Sequence, residues 1–172
     1  MSKKFKGKRC VYCAEALSTT KDHIFAQEFF LERHRTNLPA APACGRCNAE
    51  KGKLEHYLTA LLPFAACHRN GAENLATMVP KRLSKNASLH RRLVAEQGVA
   101  WVRAGELVVP TMTLPIDNER FKTLFQLITR GLIWYHWQIY LTADDFVKIY
   151  TFTKAGSKFL TSGSLGSMRV RE

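Results

Sequence analysis

The chain has 172 residues and 19.5 kDa, of which 46% are hydrophobic and 23% charged, enough for a packed core and too apolar for wholesale disorder. Lys and Arg number 26 against 14 Asp and Glu, a formal net charge of +12, which points to polyanionic partners; an acidic membrane surface or an acidic protein would fit the charge alone as well as nucleic acid does. The longest apolar run, Leu58 to Cys67, has ten residues and contains Pro63, short of the ~20 needed to span a bilayer.

In chain order, residues 1–9 read as a flexible basic arm carrying Lys3, Lys4, Lys6, Lys8 and Arg9. No apolar stretch with a small-residue cleavage site follows, so no secretory leader is expected, and the reading is a cytoplasmic protein without a membrane partner. A short β-prone stretch spans Thr19 to Phe25, and Gln27 to Leu31 reads as a helical turn or short helix. Leu38 to Ala43 is predicted to be extended, because a residue before proline avoids the helical region. From Gly45 to Leu62 the pattern becomes helical: Leu54, Tyr57, Leu58, Leu61 and Leu62 recur at three- and four-residue spacing, and Pro63 ends the run.

Asn86 to Gln97 is predicted as a basic amphipathic helix. Residues 99–103 and 106–109 read as a β-hairpin. Asp117 is placed to cap a long helix running to Gln138. Asp145 to Phe152 is undecided between strand and helix, and residues 156–166, rich in Gly, Ser and Thr, read as poorly ordered. A second basic patch is formed by Lys81, Arg82, Lys85, His90, Arg91 and Arg92.

Five cysteines fall as Cys10-x-x-Cys13, Cys44-x-x-Cys47 and Cys67. Two short pairs about thirty residues apart form a metal pattern rather than a disulfide framework. Each pair presents two thiolates from one tight turn, so the two pairs supply the four tetrahedral ligands of a structural Zn(II) ion. Cys67, in an apolar stretch, is expected to be a small core residue.

Around these pairs lie residues suited to hydrolysis. Asp22 and Asn48 offer hard oxygen ligands for a catalytic Mg(II) or Mn(II) ion. His23 titrates near neutrality and can take a proton from water. Asn48 could instead be a plain helix cap, and Asp22 and His23 a turn residue and a core histidine. Since neighbouring strand residues point to opposite faces, Asp22 and His23 must sit at a strand end or bulge to address one phosphate. Lys51, Lys53, Lys8, Arg9 and Arg46 are the candidate contacts to a nucleic-acid backbone.

Cys10-Val-Tyr-Cys13, Asp22-His23-Ile24, Cys44-Gly-Arg-Cys47-Asn48 and Lys51, in this order, resemble the HNH (His-Me finger) endonucleases, and within them the four-cysteine zinc branch that includes phage endonuclease VII. The resemblance covers about residues 8 to 62. It implies a ββα-metal domain over 10–62 stapled by zinc; the pattern of the remaining chain reads as a mixed, mainly helical accessory domain over 63–160 and a flexible tail over 161–172, an α+β chain as a whole. The resemblance implies further that Asp22 and Asn48 hold the catalytic metal, that His23 is the general base, and that Glu55 and Tyr57 are structural. Asn37, seven residues before Cys44, is the one candidate for the family's middle Asn.

The function expected is a metal-dependent endonuclease acting on nucleic acid, DNA ahead of RNA. By analogy it would belong to a restriction or phage-defence system. The alternative is a non-catalytic, zinc-stabilised module that binds nucleic acid or protein. A further option is a nuclease subunit licensed by a protein partner, or a homo-oligomer, through the C-terminal region.

Overall fold

The computed structural model describes residues 5–150; Lys3, Lys4, the 156–166 segment and the 161–172 tail lie outside the described residues. The architecture is α+β. Strand β1 (Thr20–His23) pairs antiparallel with β2 (Ala40–Ala43), with Thr20 opposite Ala43 and His23 opposite Ala40. Between them the chain makes two single 3-10 turns, Gln27–Phe29 and Glu32–His34. Asn37 turns the chain toward β2 with φ 60°, a left-handed conformation that asparagine tolerates better than most residues.

Helix α1 (Gly45–Leu61) follows β2 directly. Cys44 is its N-cap, the sulfur accepting the Cys47 N–H at 3.5 Å. Its C-terminal half buries Tyr57, Leu58, Thr59, Ala60 and Leu61, whereas the one buried residue of its N-terminal half is Lys51. A 3-10 turn at Leu62–Ala65, with Pro63 in its first turn, ends the run.

Three short helices follow: α2 (Arg69–Thr77), α3 (Val79–Lys85) and α4 (Ala87–Glu96). Of these the sequence indicated α4 alone. α2 is capped by the His68 ring, whose Nδ1 accepts the Asn70 N–H at 3.2 Å, and histidine is not a usual start signal. Arg82 draws these helices together: its guanidinium donates to the carbonyls of Thr59 and Glu28 and to Asn74 Oδ1. This patch arginine is therefore spent on internal bonds.

Strands β3 (Gly98–Ala104) and β4 (Leu107–Thr113) form a separate hairpin closed at Gly105, φ +67°. Val99, Trp101 and Leu107 are 71%, 69% and 69% exposed, so this hairpin adds little to the core. Helix α5 (Asn118–Trp137) is capped by Asp117, which accepts the Arg120 N–H at 3.1 Å. It runs back across β2 and α1 and buries Leu124, Ile128 and Trp134.

One hydrophobic cluster joins Ile24, Ala41 and Ala43 of the strand region to Leu58 of α1 and to Leu124, Ile128 and Trp134 of α5. It thus includes residues from both sides of the boundary expected near residue 62. Among the described residues no helix is long and apolar enough to cross a membrane.

Several expectations are corrected. Residues 5–9 are not a free arm: Phe5 is buried with its ring 6.0 Å from Trp134, Ser18 donates to its carbonyl, and Arg9 bridges to Leu17. The aromatic partner lies far along the chain, so nothing local marks Phe5 as a core residue. Cys67 is exposed, because the apolar stretch that contains it turns outward after Pro63. Residues 145–150 form neither strand nor helix; Asp145 instead closes a turn by accepting the Thr142 N–H at 2.7 Å.

Candidate functional site

The four paired cysteines converge. The sulfurs of Cys10, Cys13, Cys44 and Cys47 all lie within 4.8 Å of one another, near the ~3.8 Å edge of a tetrahedron of Zn–S bonds. The first pair sits on a turn in which the Ala14 N–H returns to the Cys10 carbonyl at 2.9 Å. Ala14 itself adopts φ 58°. The second pair opens α1. The turn is tied to β2 by the Val11 N–H, 3.0 Å from the Pro42 carbonyl.

The thiols do not ionise alike. Burial pushes Cys13 up, but the N–H groups of Glu15 and Ala16 and the neighbouring thiols outweigh it and bring Cys13 down to about 7. Burial raises Cys10 and Cys47, the latter also through its thiol neighbours. Four thiolates this close need a cation among them, and the soft, tetrahedral sulfur set fits zinc.

Asp22 is buried on the face of β1 turned to α1. Its Oδ2 accepts from the Tyr12 hydroxyl and pairs with Lys51 Nζ at 2.9 Å. Burial and the adjacent Asp22 charge hold Tyr12 well above the usual phenol range, so it stays a proton donor. Lys51 has no exposed surface; its ammonium also donates to the His23 carbonyl at 2.8 Å and to Glu55 one turn on. Burial raises the Glu55 carboxyl, and Lys51 pulls against that rise. Lys51, expected as a phosphate contact, is therefore corrected to an internal ion-pair centre. With no surface, it cannot reach a backbone phosphate.

Thr20, on the same face of β1 as Asp22, receives the Asn48 Nδ2 at 3.3 Å. Asn48 lies one turn before Lys51 on α1, so both side chains reach the β1 residues that face the helix. Asn48 is not the cap of α1, since Cys44 holds that position and the Asn48 N–H bonds the Cys44 carbonyl at 3.0 Å.

His23 is the last residue of β1 and half-buried, the strand-end placement that lets neighbours diverge from strict alternation. Burial lowers its pKa below 6.5, Lys21 and Lys51 lower it further, and Asp22 and Glu28 oppose them. Burial thus favours the neutral imidazole.

Lys21, two residues before His23, lines a cleft of about 350 Å³ with Lys8, Pro39, Ala40, Trp134 and Tyr135. Lys8 stands 5.3 Å from the Trp134 ring centroid, so its stem is fixed while its charge stays exposed. Arg9 is exposed, 5.9 Å from the Tyr140 ring. Arg46 is exposed in the first turn of α1, and Lys53 is exposed one turn beyond the strand-facing residues.

Tyr12 and Glu55 are the residues whose part in this network the sequence reading did not assign. The four-residue spacing of Lys51 and Glu55 was the available signal. Nothing local marked Tyr12, whose partner is ten positions away. Comparison with known proteins yields no match: no family model, no curated protein and no solved structure matches this chain.

Proposed function

We propose that this chain is a zinc-stapled endonuclease of the HNH, ββα-metal type, hydrolysing phosphodiester bonds in nucleic acid, with DNA the expected substrate. What supports the reading is the half-buried His23 at the end of β1, directly after the buried Asp22, with Asn48 reaching the same strand from α1.

The donor set by β1 fits a hard divalent cation. Asp22 spends Oδ2 on Tyr12 and Lys51, which leaves Oδ1; Asn48 spends Nδ2 on Thr20, which leaves its carbonyl oxygen. Two carboxylates, Asp22 and Glu55, face the single Lys51 ammonium, so one negative charge remains. Asp22 and Asn48 would hold magnesium or manganese, which when bound neutralises charge on the phosphorane and the leaving oxygen.

The chain's own groups do the rest. His23 takes one proton from a water molecule as its oxygen bonds to phosphorus and the P–O bond to the leaving nucleoside oxygen breaks. Lys51, through the His23 carbonyl, positions that residue without touching substrate. Lys8 and Lys21 neutralise flanking phosphates.

The test is cleavage of plasmid DNA and of RNA with magnesium and with manganese. Wild-type protein is expected to nick DNA, and His23→Ala to lose at least about a hundredfold in rate while keeping its zinc and fold. Undiminished cleavage by that variant would falsify the reading. A second reading rests on the Asp22–Lys51–Tyr12 network, which also suits a purely structural carboxylate. It makes the chain a non-catalytic zinc module, and absence of cleavage by wild type with either metal, alongside intact binding, would establish it.

A further inference from the structure

A second charged cleft lies between α1, α4 and the start of α5. The side chains of Lys53 and His56 on α1, Arg92 and Ser88 on α4 and Arg120 on α5 enclose a cleft of about 280 Å³ whose lining contains no carboxylate. Counted along α5, Arg120 of this cleft and Tyr135 of the cleft lined by Lys8 and Lys21 are 15 residues apart, roughly 22 Å of helix. The two clefts are therefore distinct.

The cations here are held in place. The Arg92 and Arg120 guanidinium groups stand 5.3 and 5.0 Å from the centroid of the buried Tyr57 ring. Tyr57 is fixed in turn, its hydroxyl accepting the Asp117 N–H at 3.0 Å. Asp117 pairs with Arg120 at 3.2 Å, whereas among the described residues neither Arg92 nor Lys53 has an ion pair.

Among the described residues two buried side-chain polar atoms lack a hydrogen-bond partner, Arg92 Nε and Arg35 Nη2. Both belong to arginines lining adjoining cavities, which share His56, Asn86 and Leu89. A buried guanidinium N–H without an acceptor is costly and calls for an anion or water. Two arginines oriented on one ring, a lysine at the rim and no lining carboxylate make a receptor for a tetrahedral oxyanion.

We propose that the cleft between α1, α4 and the start of α5 binds a phosphate group, held by Arg92, Arg120 and Lys53. The phosphate can come from a nucleic-acid backbone or from free phosphate, and the site stands whether or not His23 is catalytic.

Binding of a fluorescein-labelled 20-nucleotide DNA, single- and double-stranded, is measured by anisotropy across a salt series, with inorganic phosphate titrated calorimetrically in parallel. The Arg92→Gln/Arg120→Gln protein is expected to bind DNA roughly tenfold more weakly, with the salt slope reduced by about one per residue. Lys53→Glu, on an exposed side chain that supports no packing, should weaken binding in the same direction and decides the matter if the double variant does not fold. Loss of phosphate binding in the variants with unchanged DNA affinity assigns the site to free phosphate. Variants that bind both probes as wild type does, or a wild type that binds neither, would overturn the proposal. His23→Ala separates the two sites, since it is expected to slow cleavage at least about a hundredfold while leaving both binding curves unchanged.

Discussion

Lys51 is the buried cation on which Asp22, Glu55 and the His23 carbonyl converge. A buried ammonium pays a desolvation cost that is recovered only when every proton finds an acceptor; here Asp22, Glu55 and the His23 carbonyl supply them. Lys51→Ala leaves two carboxylates facing each other without a counter-charge, and urea unfolding should show a loss of about 3–5 kcal/mol. A loss under 1 kcal/mol would mean the pair is not buried as described. His23 gives a second prediction. Its folded-state pKa lies below the unfolded 6.5, so protonation favours the unfolded chain. The stability linked to His23 is full above 6.5 and is lost as pH falls from 6.5 through the lowered value. In magnesium-free, zinc-loaded protein, the His23 ring resonances should titrate with a midpoint below 6.5, and Lys21→Glu should move that midpoint upward. A midpoint above 6.5 would contradict the burial and the Lys21 field together.

At the level of elements, α5 holds the strand that carries His23. A Cβ added at Gly131 would lie 3.0 Å from both Cγ1 and Cγ2 of Ile24, a fully buried residue that follows β1 directly. Helix propensity favours Gly→Ala by up to ~1 kcal/mol, but overpacking against the fully buried Ile24 costs about 1–3 kcal/mol. Gly131→Ala should therefore destabilise by up to about 2 kcal/mol in denaturant melts. Gly52→Ala in α1, where a Cβ meets nothing within 4 Å, should stabilise by up to ~1 kcal/mol. If both changes stabilise, α5 does not approach Ile24 as closely as described.

For the molecule as a whole, the cysteine cluster joins three chain segments: the turn at Cys10, β2 through Val11 and Pro42, and the start of α1. A metal held only by the folded arrangement adds its binding energy to folding. Of the five cysteines, Cys67 is exposed and stands apart from the cluster. Zinc-loaded protein should therefore show one thiol reactive toward an aromatic disulfide reagent, and five after chelation, with a fall in melting temperature. Five reactive thiols before chelation would show that the sulfurs do not share an ion.

What the sequence determined by itself was whatever its local spacing encodes. The two Cys-x-x-Cys pairs set four sulfurs on two turns, the prolines at 39 and 42 kept Leu38 to Ala43 extended, and the Leu54–Tyr57–Leu58–Leu61 spacing with Pro63 bounded α1. Asp117 announced α5 in the same way. Only the tertiary structure decided which polar side chain of the first half of α1 turns inward. That half has no apolar stripe, and Lys51 goes in because acceptors 28 and 29 positions back meet it across the β1–α1 seam. The same holds for Phe5, buried by Trp134, 129 positions along the chain, and for the Arg92–Tyr57–Arg120 stack, assembled from three helices. Periodicity reports on a residue's neighbours along its own element; burial and charge pairing depend on what the other elements bring to it.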